Sequence, residues 1–313
     1  MDDITHISRV KIKRLWGRFD IDWKLNPDVN ILAGINGSGK TTILGLIFLC
    51  AIGYPLPLYD KYRNIFFDTI NVIWNNGECT QEIKNIPINN ENNFIFSKFG
   101  DIKKYLDIVS TFDQNLKKEK EAEKLSELDD SPIKTELDWE IYKLQEKYLD
   151  YQVNIGKEIE KLYKEPNIDY KESINKIYTK LHLFKDTINE LFSETDKKLD
   201  SENNKISFLD WQDNKLEPYQ LSSGEKQLLI ILLKILIQND RPFVMFLDEP
   251  EISLHIDWQK KLISKMRALN PNLQLIIATH SPAIIMEGWA DKVFEVRDII
   301  AFDRKVKNGD ISN

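Results

Sequence analysis

Eight residues, "GINGSGKT" from Gly34 to Thr41, fit the pattern G-x-x-x-x-G-K-[ST] between an apolar run and an apolar helix. Glycines at that spacing let successive backbone N–H groups turn toward phosphate oxygens, and the helix N-terminus behind them adds its dipole. Asn36, Gly37, Ser38, Gly39 and Thr42 then line the cradle with Lys40 and Thr41. Lys40 is placed to reach the β- and γ-phosphates of a nucleotide, and the Thr41 hydroxyl to bind Mg²⁺. The strand–loop–helix context disfavours a chance glycine-rich turn.

Three later stretches carry compatible chemistry. In "RPFVMFLDEPE" at 241–251, Val244 to Leu247 read as a buried strand with Asp248 and Glu249 at its carboxyl end. Ligands bind at that end in open α/β sheets. Asp248 is the metal-side carboxylate and Glu249 the general base for an attacking water. By themselves two acids after an apolar run are equally a plain strand end. "LQLIIATHSP" at 273–282 reads as a second buried strand, ending in His280, which could touch the γ-phosphate or orient the water. A lone strand-end histidine is more often structural, and His255 and His182 take that plainer reading. In "YQLSSGEKQLLIILLKIL", from Tyr219, Ser222, Ser223 and Gly224 stand at the mouth of an apolar helix. Either serine can cap it, and small residues leave its N-terminus open to an anion.

The elements that must position these groups are also visible. "SRVKIKRLW", "RFDIDWKL" and "NILAG" alternate as strands, with Ile12, Phe19, Ile21 and Trp23 on one side. Arg9, Lys11, Lys13, Arg14 and Arg18 on the other read first as a solvated strand face, and only second as a nucleic-acid contact. Residues 40–53 are helical in pattern, and "TINVIW", "NFIFSKF" and "YLDIVSTFDQ" are candidate strands, the last ending at Gln114. From Leu116 to Phe192 Lys and Glu dominate. Apolar residues recur there every three or four positions, from Ile133 to Leu162 and again from Tyr170 to Leu191. Ser131-Pro132 marks the expected start of the first helix and Pro166 lies past its end. The two stripes predict an antiparallel helical hairpin of about 45 Å, either projecting or packed as a lid. Stripe width does not separate those alternatives.

The chain has 313 residues, 42% hydrophobic and 30% charged, with a formal net charge of -7. That balance excludes a protein coated in basic surface and leaves DNA only a local patch. Cys50 and Cys79 match no metal or redox spacing. The N-terminal "MDDITHISRV" lacks a signal peptide's apolar core, and "LLIILLKILI" is too short to cross a bilayer. The expectation is a soluble, cytoplasmic protein without a membrane partner.

Together the four motifs resemble those of ABC-type ATPases in their order: Walker A (34–41), signature (221–225), Walker B (244–249) and switch histidine (His280). Gln114 falls where that family has its Q-loop glutamine, and "SLHI" at 253–256 where it has the D-loop. The helical insertion resembles the SMC/RecF/OLD branch, and the opening forty residues resemble "AAA family ATPases" from bacterial anti-phage systems of the PARIS and Septu kinds. "LSSGE" departs from the transporter consensus LSGGQ, and no OLD-type nuclease segment follows His280.

The resemblance implies an α/β fold: N-terminal antiparallel strands and a mostly parallel core sheet with flanking helices. One lobe would span 1–114, the insertion 115–205 and the second lobe 206–313. It further implies ATP and Mg²⁺ as ligands, with Thr41, Gln114 and Asp248 at the metal and Lys40, Glu249 and His280 in catalysis. Two chains would sandwich two ATPs, with Ser222, Ser223 and Gly224 acting on the partner's nucleotide, in a homodimer or larger assembly. The implied function is an ATP-driven switch for a separate effector, a nuclease or toxin. The alternative is a RecF-like ATPase that binds DNA. Trp16 and Phe19 are candidates to stack on adenine, although a hydrophobic role suits both.

Overall fold

Apolar alternation builds β1 (Ile7–Leu15) and β2 (Phe19–Lys24), and a fully buried run builds β3 (Val29–Ala33). Helix α1 (Lys40–Ile52) follows the glycine-rich loop, and then come β4 (Thr69–Trp74), β5 (Cys79–Ile88), β6 (Glu91–Phe96) and β7 (Leu106–Val109). Two long helices, α2 (Glu136–Leu162) and α3 (Tyr170–Phe192), lead to short strands β8 (Lys198–Leu199), β9 (Phe208–Leu209) and β10 (Lys215–Leu216). The rest alternates: α4 (Ser223–Ile237), β11 (Phe243–Asp248), α5 (Ile256–Leu269), β12 (Leu273–Thr279) and α6 (Pro282–Met286), then β13 (Val293–Glu295) and β14 (Ile300–Asp303). This computed structural model describes residues 4–52, 65–77, 79–88, 91–96, 106–109, 131–164 and 169–304. Gln114 and Pro166 lie outside them.

The chain divides into two compact units. The first gathers Met1–Val109, Pro242–Pro250 and Asn272–Asn313. It holds an antiparallel sheet of order β14-β2-β1-β4-β5-β6 and a parallel sheet of order β13-β3-β12-β11-β7. The mixed α/β architecture of antiparallel strands, parallel core sheet and helices is the expected one. Helix α1 is apolar on all sides because its Ile43, Leu46 and Ile47 share one core with Ile70 and Val72 of β4 and with Phe246 and Ile276 of the parallel sheet.

The three arginines of the basic strand face are each paired with an aspartate. Arg9 meets Asp22 at 2.6 Å, Arg14 meets Asp68 at 2.5 Å and Arg18 meets Asp303 at 2.6 Å. Each arginine donates two hydrogen bonds to its aspartate. Solvent screens such exposed pairs, so their effect is on surface charge more than on stability. The solvated-face reading of these residues fits this arrangement.

The second unit comprises Ser110–Arg241 and Glu251–Pro271. Its first helix starts later than Ser131-Pro132. Thr135 accepts from the Asp138 N–H at 3.2 Å, and the Asp138 carboxylate accepts from the Thr135 N–H at 3.0 Å. That reciprocal box outweighs the proline signal because it satisfies two orphan donors at once. Both apolar stripes of the insertion are packed over much of their length. Leu137, Ile141, Leu144, Tyr148, Tyr151 and Ile155 of α2 and Leu181, Phe184, Ile188 and Leu191 of α3 are buried. Val153, on the opposite face of α2, is exposed, as are Tyr163 and Tyr170, which stack 5.7 Å apart.

The two lysines inside the apolar helix α4 are explained by α2. Lys226 pairs with Asp138 at 2.9 Å and Lys234 with Glu140 at 2.8 Å, all within this unit. Burial alone would raise the Glu140 pKa, but Lys234 and Lys143 outweigh it and hold the carboxyl at about 2. A depressed carboxylate stabilises the fold above its unfolded pKa and loses that contribution as pH falls through the folded one. Glu140→Gln is therefore expected to lower the denaturation midpoint at neutral pH. The gap from the parent should close between about pH 4.5 and 2, measured by urea titration across that range.

Candidate nucleotide site

Parallel register brings three chain segments to one edge of the core sheet. Thr279 of β12 pairs with Ala33 of β3, and Ala278 of β12 pairs with Asp248 of β11. Gly34, Glu249 and His280 each follow directly, at the carboxyl ends of adjacent strands, where a ligand meets outward-facing loops.

The loop has the geometry of an anion cradle. Gly39 has φ +94°, and a Cβ there would lie 2.1 Å from the Trp16 Cη2. A side chain there is strained by the backbone and must displace the Trp16 ring. Lys40 is buried, and its ammonium donates to the Gly34 and Ile35 carbonyls at 2.8 and 3.2 Å. The Ser38 hydroxyl oxygen is buried without a hydrogen-bond partner. Such an atom costs free energy unless something satisfies it. A phosphate oxygen would do so, and would offer Lys40 a better acceptor than two neutral carbonyls.

A hydrogen bond joins the start of helix α1 to the end of strand β11. The Thr41 hydroxyl donates to the Asp248 carboxylate at 2.9 Å. One hydroxyl and one carboxylate so placed offer hard oxygen ligands of the kind Mg²⁺ takes beside phosphates. The residues present therefore fit a magnesium–nucleotide. Next to Asp248, Glu249 adopts φ +49° while its N–H donates to the Ala278 carbonyl at 2.7 Å. That left-handed backbone costs a non-glycine residue about 1–3 kcal/mol and aims its side chain off the strand. The Glu249 carboxylate lies 3.5 Å from the His280 Nδ1. The structure thus brings Lys40, Thr41, Asp248, Glu249 and His280 to one sheet edge.

Around the loop lies an apolar rim that sequence reading did not single out. A cleft of about 720 Å³ is lined by Gly34, Ile35, Ser38, His280, Met286 and Arg297, among others. Ile35 is 82% exposed and Met286 76%. Trp16, at the β1–β2 turn, lies on Gly39 and meets Phe19 edge-on at 6.2 Å.

The second unit holds the signature segment. Ser222, not Ser223, caps α4: its hydroxyl accepts from the Glu225 N–H at 3.4 Å. Gly224 is buried, and a Cβ there would fall 2.2 Å from the Ser253 carbonyl oxygen. Glu225 completes an S-x-x-E capping box with Ser222. Burial would raise its pKa, yet bonds from Thr195, Lys197 and Ser222 hold the carboxyl below the usual range. His255 lies 3.7 Å from both Glu194 and Asp257.

Residues 29–287 match the family described as "AAA domain, putative AbiEii toxin, Type IV TA system". The chain belongs to that family. Its match over both lobes accords with the resemblance to ABC-type ATPases of the SMC/RecF branch read from the motifs. Among curated relatives, "Retron Vc95 probable ATPase" of Vibrio cholerae serotype O1 biovar El Tor is 25% identical over 97 residues, 28% of this chain and 19% of the relative. A "Putative ABC transporter ATP-binding protein" of Sulfurisphaera tokodaii is 37% identical over 77 residues, 25% of this chain and 16% of the relative. Both matches thus span less than a fifth of the relative's own length. Among solved structures, an Smc head bound to the C-winged helix domain of ScpA aligns over 93% of both chains with a TM-score of 0.47 and 14% identity.

In this AAA-family chain the glycine at 39 is the most demanding position of the loop. Gly39→Ala is expected to weaken binding of a fluorescent adenine nucleotide by about tenfold or more, near 1.4 kcal/mol. The far-ultraviolet circular dichroism should stay unchanged. Undiminished binding would show that the loop does not serve as the cradle.

Proposed function

We propose that this protein binds and hydrolyses ATP with Mg²⁺ in the cytoplasm and works as a switch. The observation that carries the proposal is the Thr41–Asp248 hydrogen bond, made beside the Glu249–His280 pair at the same strand ends. The chain is taken as two lobes, 1–114 and 206–313, around an insertion at 115–205. Asn36, Gly37, Ser38, Gly39, Lys40, Thr41 and Thr42 hold the phosphates. Thr41 and Asp248 hold the metal with Gln114, which also links it to the insertion. Magnesium would spread the charge that develops on the phosphates. Glu249 takes a proton from the attacking water, and His280, within reach of the Glu249 carboxylate, orients that water.

The assembled form is a homodimer or larger homo-oligomer in which Ser222, Ser223 and Gly224 close over a partner's ATP. Supporting this, Ser222 is exposed and Ile35 and Met286 present apolar surface beside the loop. Exposed apolar groups flanking a polar site suit a surface that another chain covers. The assembly would control a separate effector, a nuclease or toxin, in bacterial anti-phage defence. The family's description as a toxin system and the retron relative point that way. The alternative, a RecF-like ATPase on DNA, draws less support because Arg9, Arg14 and Arg18 already hold aspartates. No helix among the described residues is long and apolar enough to cross a membrane.

The deciding experiment is native mass spectrometry of Glu249→Gln purified from its own host with ATP and Mg²⁺. Hydrolysis should fall by about 100-fold or more, as for loss of a general base. A dimer or larger assembly carrying a second protein is expected. A homo-oligomer carrying only DNA would transfer the proposal to the alternative, and a lasting monomer would remove the in-trans role of Ser222.

A further inference from the structure

Glu225 is only 1% exposed, yet it is a carboxylate at the front of an apolar helix. Its two oxygens divide their partners. One accepts from the Ser222 N–H at 2.8 Å and the Ser222 hydroxyl at 2.9 Å. The other accepts from the Thr195 hydroxyl at 2.6 Å and the Lys197 ammonium at 2.9 Å. Thr195 belongs to the 3-10 turn Ser193–Thr195 that directly follows α3, and Lys197 lies between that turn and β8. A helix cap needs only the first set. The second set joins the exit of the helical hairpin to the residue that fixes Ser222.

The surroundings make this joint stiff. Gly224, next to Glu225, sits against the Ser253 carbonyl with no space for a methyl group. The Trp258 indole N–H donates to the Leu191 carbonyl at 3.0 Å, tying α5 to the end of α3. In the same 3-10 turn, Glu194 lies 3.7 Å from His255. A buried carboxylate with four donors in fixed directions has little freedom to rotate, and losing one donor leaves its oxygen under-satisfied, with a single partner, in a dry place. Displacement of the turn 193–197 must therefore either carry Glu225, and with it the acceptor of the Ser222 N–H and hydroxyl, or break the Thr195 and Lys197 bonds to its other oxygen.

We infer that Glu225 is a positioning residue for the signature serine, and that Thr195 and Lys197 make the orientation of Ser222 depend on the helical hairpin. This rests on the reading in which Ser222 closes over a partner's ATP, and it names the residues through which that closure is regulated.

Thr195→Val and Lys197→Met remove one donor each while leaving the capping box intact. Glu225→Gln risks misfolding and serves only as a third variant. In the Glu249→Gln background, each of the first two is expected to raise the ATP concentration for half-assembly by tenfold or more. Nucleotide affinity of the single chain should stay within twofold, and Lys197→Arg should restore assembly. If the Glu249→Gln parent assembles and both variants assemble equally well, the coupling is wrong. Should the parent itself stay monomeric, the in-trans reading fails, and amide hydrogen exchange on the single chain then decides the coupling. Thr195→Val should speed exchange at Ser222 and Glu225 at least fivefold with the middle of α4 unaffected. Unchanged exchange at both amides would overturn the inference.

Discussion

The parallel register of β3, β12 and β11 is the constraint on which the site depends. Once Thr279 pairs with Ala33 and Ala278 with Asp248, the loop, the acidic pair and the histidine have no freedom to lie elsewhere. A slip of one residue in any of these strands would turn every side chain to the other face and separate the groups. The register is held because all three strands are buried on both faces, with β12 buried at every position. One hydrogen bond, Thr41 to Asp248, then ties the start of α1 to the end of β11.

Polar groups inside this protein follow a consistent rule. Lys226 and Lys234 interrupt an apolar helix only where α2 supplies Asp138 and Glu140. Glu225 is buried where four donors converge on it. Buried charges are costly unless paired and hydrogen-bonded, and these pairs fix which helix face meets which. The Ser38 hydroxyl departs from the rule. The indole N–H groups of Trp23 and Trp289 are also without a partner, but an orphan hydroxyl inside a phosphate loop stands where a phosphate oxygen would satisfy it.

The helical insertion has two characters for the same physical reason. Where its apolar stripe faces α4 and α5, it is buried, and α3 is bonded to α5 through Trp258. Toward the far end of the described hairpin, Tyr163 and Tyr170 are exposed and stack on each other. The proposed route through Glu225 is short because the hairpin exit and the signature helix belong to one packed unit.

The sequence by itself determined the local chemistry. The glycine pattern of 34–41, the buried runs ending at Asp248 and Thr279, the S-x-x-E start of α4 and the two helical stripes were all legible, because each is set by neighbours in the chain. The family membership followed from the same residues. Only the tertiary structure decided which groups touch. Nothing in the spacing showed that Trp16 lies on Gly39 or that Arg9, Arg14 and Arg18 are each held by an aspartate. Nor did it show that Lys226 and Lys234 answer acids on α2, or that Glu225 receives Thr195 and Lys197. These contacts join residues from about 13 to nearly 300 positions apart, as Arg9–Asp22 and Arg18–Asp303 do. Periodicity tells which face of an element is buried, whereas the partner across that face is chosen by packing the whole chain.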